Sequence, residues 1–125
     1  MPGLHHVSVG VRDLARARAF YDPLLALVGL GVLGADDLSV DYGARHICFS
    51  LETPVDGAQA TAGNGVHIAF EAPDHAAVRA FHEQAIRTGG RDAGPPGPRP
   101  EYGPHYYGAF VYDLDGNKIE AMTEG

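Results

Sequence analysis

The sequence predicts an α+β protein built from two tandem βαβββ modules, and three observations support this fold class. The two halves share a pattern at a constant offset of 61 residues: a strand, a helix and further strands. Apolar and polar residues alternate in the opening strands, 4–11 and 65–71, as half-buried strands require. Near the end, Asp115-Gly116-Asn117 separates two apolar-rich runs and predicts a β-hairpin, because glycine accepts a positive φ.

The internal repeat sets the module boundaries. Of the 26 residue pairs aligned without a gap from His6/His67 to Gly31/Asp92, seven are identical, whereas ordinary composition gives roughly one or two. The identical pairs are His6/His67, Asp13/Asp74, Ala15/Ala76, Arg18/Arg79, Ala19/Ala80, Phe20/Phe81 and Gly29/Gly90. We therefore predict one domain, 1–125, with module 1 over about 1–60 and module 2 over about 61–125. The alternative is that two strand–helix units share capping residues without common descent.

In module 1 the first strand directs Val7, Val9 and Val11 to the core and His6 and Ser8 to the opposite face. The next residue with a clear role is an acidic helix cap, Asp13. A helix is predicted from Leu14, and a proline, Pro23, is predicted to interrupt it before a short second helix over 24–28. The remaining elements are a turn over 29–34 and strands over 38–42 and 46–51.

In module 2 the cap is Asp74, and Gly89-Gly90 ends the helix. Residues 94–104 are rich in proline and glycine and predict a shaped loop at the rim of a site. In the last strand Glu120 shares one face with Lys118 and Met122, while Ile119 and Ala121 share the other. A carboxylate at that position is either solvated or directed at a positive group.

Composition restricts the classes of partner. The net charge of −7 argues against nucleic acid and anionic membranes, which both require a basic surface. No segment approaches the ~18 apolar residues of a membrane span, and the start of the chain does not resemble a signal peptide. Cys48 is the single cysteine, so an internal disulfide is impossible. We expect a cytoplasmic protein.

Three residues indicate a metal site. His6, His67 and Glu120 each lie on the non-apolar face of a predicted strand, and the two histidines occupy equivalent positions in the repeat. Two imidazoles and a carboxylate bind a divalent transition metal and leave positions open for water or substrate. A structural role for each histidine is the alternative that spacing alone leaves open.

The segments LHHVSVGVRDL, GVHIAFEAPD and YYGAFVYDLDGNKIEAM resemble the vicinal oxygen chelate superfamily, which includes glyoxalase I, extradiol dioxygenases, and fosfomycin-resistance and bleomycin-binding proteins. The run from Gly94 to Tyr102 and the segment Tyr106 to Val111 are similar to a small, single-domain, glyoxalase-like branch. The resemblance implies curved mixed sheets around a metal-binding cleft, commonly completed in a homodimer.

Residue by residue, the resemblance places metal ligands at His6, His67 and Glu120. At a further position, where glyoxalase I has Glu or Gln, this chain offers Cys48, His46 or Ser50, and hairpin analogy puts Cys48 level with Glu120. Candidates for orienting substrate or supplying a proton lie near the cleft mouth: Arg99, Tyr102, His105 and Tyr106.

The function implied is that of a divalent-metal-dependent enzyme, a glyoxalase-like lyase or isomerase or a dioxygenase, acting on a small substrate that chelates the metal through two oxygens. Iron, manganese, zinc, nickel and cobalt all fit the donor set. The alternative is a non-catalytic module, like the bleomycin-resistance proteins, that sequesters an aromatic or glycopeptide drug. A third alternative is a dimeric domain in which these side chains no longer bind metal.

Overall fold

The computed structural model describes residues 3–125, and it contains two four-stranded mixed sheets and two helices. Module 1 consists of β1 (Val7–Gly10), α1 (Leu14–Ala26), β2 (Gly31–Ala35), β3 (Ser39–Gly43) and β4 (Ile47–Glu52). Module 2 repeats this order with β5 (His67–Glu71), α2 (His75–Arg87), β6 (Arg91–Pro98), β7 (Tyr107–Tyr112) and β8 (Lys118–Thr123). The prediction of βαβββ twice is confirmed.

The two sheets have the same topology. The first is ordered β1-β4-β3-β2 and the second β5-β8-β7-β6, and in each the opening strand pairs in parallel with the last strand. Apolar faces of both sheets and both helices share one hydrophobic core, in which the Phe49 and Phe70 rings lie 5.1 Å apart. The opposite, outer face of each sheet carries the more polar residues of the alternating strands. His67 lies on this face of the second sheet, and His6 directly precedes β1 on the same face of the first.

The helix caps follow the sequence. The side chain of Asp13 accepts a hydrogen bond from the Arg16 backbone N–H, and that of Asp74 accepts one from Ala77. After α2, Gly89 has a φ of +106°, which favours glycine and ends the helix. Gly116 in the β7–β8 turn has a φ of +88°, as the hairpin prediction requires.

Three predictions about local structure are wrong. The helix of module 1 is continuous to Ala26 with Pro23 inside it, because Leu24 and Leu25 are fully buried and hold the last turn against the core. Residues 31–35 form the edge strand β2 rather than a turn. The proline-rich stretch forms an edge strand, β6, as far as Pro98 and becomes a loop only beyond it, since an edge strand tolerates proline.

The modules are also joined by polar contacts. The Tyr21 hydroxyl donates to Asp113 Oδ2 at 2.5 Å, and the Arg12 backbone N–H donates to Asp115 Oδ1 at 3.0 Å. Burial raises the pKa of Asp115 despite its contact with Arg12. Within residues 3–125, neither helix has the length and apolar character needed to cross a membrane.

Candidate functional site

The candidate site is centred on the Glu120 carboxylate, in the middle of β8. Strand β8 lies between β5 and β7, and Glu120 is level with Ala69 on one side and Phe110 on the other. Although it lies on the outer face of the sheet, Glu120 is only 1% exposed. A buried carboxylate lowers the stability of the folded state unless it is paired or hydrogen-bonded. The neighbours of Glu120 must therefore supply these contacts.

Two side chains contact that carboxylate. His67 Nε2 lies 2.6 Å from Glu120 Oε1, and the ring donates in the tautomer that carries its proton on Nε2. The Tyr106 hydroxyl donates to Oε2 at 2.5 Å. Strand β5 presents His67 and the residues before β7 present Tyr106, so three separate segments converge on one carboxylate.

Tyr106 keeps its proton in this environment. Burial raises the pKa of Tyr106 well above its usual value, and the hydrogen bond to Glu120 raises it further. The phenol is therefore a hydrogen-bond donor throughout the physiological pH range. A deprotonated Tyr106 next to the Glu120 carboxylate would place two negative charges in contact.

Gly108 makes room for this arrangement. A Cβ added at Gly108 would lie 2.9 Å from Glu120 Oε2 and 3.2 Å from Tyr106 Cε1. Real Cβ atoms essentially never come within 3.0 Å of another atom, so any side chain at Gly108 would displace the Glu120 carboxylate and crowd the Tyr106 ring. Glycine at this position is thus part of the site.

His6 lies on the other sheet, just before β1, and is exposed. Its Nδ1 is 2.9 Å from His5 Nδ1, and the His5 ring makes an edge contact with His46 at 5.4 Å between ring centroids. The structure therefore brings together His67 and Glu120 but not the third predicted ligand. Between residues 3 and 125, no three His, Cys, Asp or Glu side chains are arranged to hold a metal ion within the one chain.

The equivalent of Glu120 in module 1 is Ser50. Ser8 pairs with Ser50 in β1–β4, and Ala69, which the repeat aligns with Ser8, pairs with Glu120 in β5–β8. The hairpin analogy that put Cys48 level with Glu120 is therefore wrong by two residues, because the parallel pairing sets the register. Ser50 is buried and its hydroxyl donates to Asp41 Oδ1 at 2.7 Å.

The other two residues offered for the further ligand position differ in character. Burial raises the pKa of the Cys48 thiol, which disfavours the thiolate that a metal requires. His46 is exposed at the turn before β4, beside His5. Cys48 lies in β4 of the first sheet and His46 just before that strand, whereas Glu120 lies in the second sheet.

The four residues predicted to orient substrate or supply a proton also differ in their surroundings. Arg99 packs over the Phe110 ring at 5.2 Å, and its guanidinium donates to the backbone carbonyls of Pro95 and Pro98. Tyr102 is 58% exposed and its ring contacts that of Tyr106 in a tilted arrangement, at 5.2 Å between ring centroids. His105 lines a cavity of about 450 Å³ that Tyr106 also lines. Among the four, Tyr106 is the residue that contacts a predicted metal ligand.

A larger cavity, of about 660 Å³, opens beside His67. Its wall includes Tyr112 and Lys118 and the loop 62–66, which contains two glycines. Lys118 was not predicted as a site residue. The sequence nevertheless contains a signal for it, because Lys118 shares its face of β8 with Glu120.

The chain matches the family model described as Glyoxalase/Bleomycin resistance protein/Dioxygenase superfamily over residues 3–121. A solved glyoxalase/bleomycin resistance protein from Albidiferax ferrireducens T118 is 39% identical, with 94% of this chain and 95% of that chain covered and a TM-score of 0.87. A comparison with curated proteins gives no match.

More distant solved structures share the fold. A glyoxalase-related enzyme from Fulvimarina pelagi is 18% identical, with 98% of this chain and 88% of that chain covered and a TM-score of 0.74. A glyoxalase/bleomycin resistance protein/dioxygenase family enzyme from Burkholderia phytofirmans PsJN is 16% identical, with coverages of 97% and 98% and a TM-score of 0.71. The family model spans nearly the whole sequence, and this chain therefore belongs to the glyoxalase/bleomycin resistance protein/dioxygenase superfamily.

Proposed function

We propose that this protein is a divalent-metal-dependent enzyme that acts on a small molecule with two adjacent oxygen atoms. The observation that carries the proposal is the contact between His67 Nε2 and Glu120 Oε1, at 2.6 Å on neighbouring strands. An imidazole nitrogen and a carboxylate oxygen are borderline-hard donors that suit iron, manganese, cobalt, nickel or zinc. The donor set at this position thus fits the metal that the family resemblance implies.

The third ligand in this proposal is His6 of a second copy of the chain. His6 is exposed on the outer face of the first sheet, and His67 is exposed on the outer face of the second. A homodimer in which unlike sheets face each other would bring the two histidines to one centre. This arrangement would also cover the exposed residues of the two outer faces, His6 and Ser8 on one and His67 and Glu71 on the other.

The side chains around Glu120 have separate roles in the proposed site. A bound metal would act as a Lewis acid that polarises oxygens of the substrate. Tyr106, which keeps its proton, donates a hydrogen bond to Glu120 Oε2, the oxygen that does not contact His67. The same hydroxyl can instead donate to a bound substrate. Binding of metal at His67 Nε2 requires the proton on that nitrogen to leave, so metal affinity should fall at low pH.

The test is the metal content of the purified protein before and after exhaustive chelation and reconstitution. We expect about one divalent metal ion per chain, and a gain in unfolding free energy of about 2.7 kcal/mol when free metal is a hundredfold above its dissociation constant. Glu120→Gln should lose tight binding, because the amide removes the anionic donor.

The matched control is Glu71→Gln, on the exposed outer face of the neighbouring strand. This variant should keep the metal content of the unaltered protein. Equal metal content in the Glu120 and Glu71 variants would exclude Glu120 as a ligand. Failure of the unaltered protein to bind any of these metals after reconstitution would overturn the proposed function.

A further inference from the structure

Lys118 is the single lysine of the sequence, in a chain whose net charge is −7. It pairs with His67 in the register of β5 and β8, so the two side chains lie next to each other on the outer face of the second sheet. Both line the 660 Å³ cavity. The one lysine thus lies directly beside the proposed metal ligand.

The ammonium group is held in place without a carboxylate partner. Lys118 Nζ lies 5.1 Å from the centre of the Phe110 ring, in a cation–π contact. Across residues 3–125, the ion pairs of the structure do not include Lys118. The nearest acid along the strand, Glu120, already accepts from His67 and Tyr106 through its two oxygens.

A second cation, Arg99, contacts the same ring, but its N–H donors are used in hydrogen bonds within its own loop. Arg99 lies 5.2 Å from the Phe110 ring centre, and its guanidinium donates to two carbonyls of its own loop. Arg99 therefore fixes the proline-rich segment next to the ring. Lys118, in contrast, keeps its three N–H donors available to the cavity.

This arrangement has an electrostatic consequence that rests on the proposed function. A metal ion at His67 and Glu120 would place a second positive charge beside Lys118. Two neighbouring positive charges repel each other. An anionic group located between them removes the repulsion and gains a charge-assisted hydrogen bond from the ammonium. The pair of positive centres therefore selects a negatively charged ligand.

We infer that Lys118 binds the anionic group of the substrate, and that the substrate is a small carboxylate, phosphate or phosphonate whose adjacent oxygens reach the metal centre. His67 and Lys118 are register neighbours, so the anionic group lies only a few bonds from the chelating oxygens. Tyr112 also lines the cavity, and the edge of its ring, which has Arg91 over its face, would contact an apolar or aromatic portion of the substrate. A cationic guest is disfavoured at this site.

The single lysine allows a direct test. Reductive ¹³C-methylation preserves the charge and gives one dimethyl-lysine signal, from Lys118, besides that of the α-amino group. Benzoate and inorganic phosphate are titrated into the metal-free protein, with the neutral benzamide as the matched probe. We expect a saturable shift of the Lys118 signal with one or both anions and none with benzamide.

Lys118→Gln should weaken binding of the same anion by about tenfold or more, because a charge-assisted hydrogen bond is lost. Arg79→Gln, on the exposed surface of α2, should leave it unchanged. If benzoate alone binds, the substrate is a carboxylate, and if phosphate alone binds, it is a phosphate or phosphonate. The absence of a saturable shift with either anion, or an equal response to benzamide, would overturn the inference.

A titration of the metal-loaded protein distinguishes this inference from the proposed function. Oxalate, which combines adjacent oxygens with negative charge, should bind more tightly to metal-loaded than to metal-free protein. Loss of that difference, with anion binding at Lys118 intact, would contradict the metal site alone. Unaltered anion binding in the Lys118 variant, with only a lower melting temperature, would show that the lysine merely covers Phe110.

Discussion

At the scale of single residues, the site depends on how Glu120 is kept buried. The alternation of β8 predicts which face carries the carboxylate but not that the face is covered. Tyr106 covers it, and the absence of a side chain at Gly108 allows Tyr106 and Glu120 to meet. The sequence offered Tyr106 only as one of four residues near a cleft mouth, because the loop preceding β7 gives no periodicity from which to place its side chains.

The role of Gly108 leads to a prediction at this scale. Gly108→Ala should lower stability by about 1–3 kcal/mol, because its Cβ would overlap Glu120 Oε2 in a packed site. The shift of the carboxylate should also weaken metal binding. Thermal unfolding of the metal-free protein measures the first effect, and a metal titration measures the second.

Gly31→Ala is the control, since a Cβ at Gly31 in the edge strand β2 meets no atom within 4 Å. It should change stability and metal affinity little. If Gly108→Ala unfolds at the same temperature as the Gly31 variant and binds metal equally well, the close approach at Gly108 has no functional importance.

At the scale of elements, the strongest sequence signals are the most accurate. Asp13 and Asp74 cap the two helices as predicted, since an acidic residue before an apolar stripe has few other structural roles. The βαβββ pattern requires β2 and β6, but their positions were predicted as a turn and a loop. Both are edge strands, bonded on one side only, and need neither alternation nor a full set of backbone N–H donors.

Helix α1 contains a proline that lowers its stability and can be replaced. Pro23 lies on the exposed side of α1 and cannot donate to the carbonyl of Ala19. Pro23→Ala should stabilise the protein by about 1–2 kcal/mol, because the restored helix geometry outweighs the added freedom of the unfolded chain. The melting temperature should rise by about 3–8 °C.

A comparison with Pro100→Ala tests the cause. Pro100 lies in the turn after β6, where no helix hydrogen bond is missing, so its replacement should give no gain. A lower melting temperature for Pro23→Ala would mean that the rigidity of proline at the end of α1 contributes more than the lost hydrogen bond.

At the scale of the whole molecule, the repeat predicts two equivalent sheets but not how their outer faces meet. Sequence spacing placed His6, His67 and Glu120 on the same kind of face, and the structure brings two of them into contact. His6 belongs to the other sheet, and sequence patterns carry no information on distances between sheets. The proposed contribution of a second copy is therefore a question of assembly.

Mixing two variants that each lack one proposed metal ligand tests that assembly. His6→Asn and Glu120→Gln should each bind metal poorly as homodimers, because every site lacks one ligand. After co-refolding, random pairing makes about half of the dimers mixed. Each mixed dimer would contain one intact site, which gives roughly one tightly bound metal ion per four chains, measured by elemental analysis. No recovery in the mixture would place all ligands within one chain or exclude His6.

The equivalence of Ser50 and Glu120 bears on how two modules of the same topology differ in chemistry. The first sheet presents a neutral hydroxyl where the second presents a carboxylate, and one substitution, Ser50→Glu, would supply a second acid at the mirror position. Asp41, which now accepts the Ser50 hydrogen bond, would have to become neutral at the same time. With His6, His67 and Glu120 as the proposed ligands, Ser50→Glu and a neutral replacement of Asp41 would together offer a fourth ligand through two substitutions.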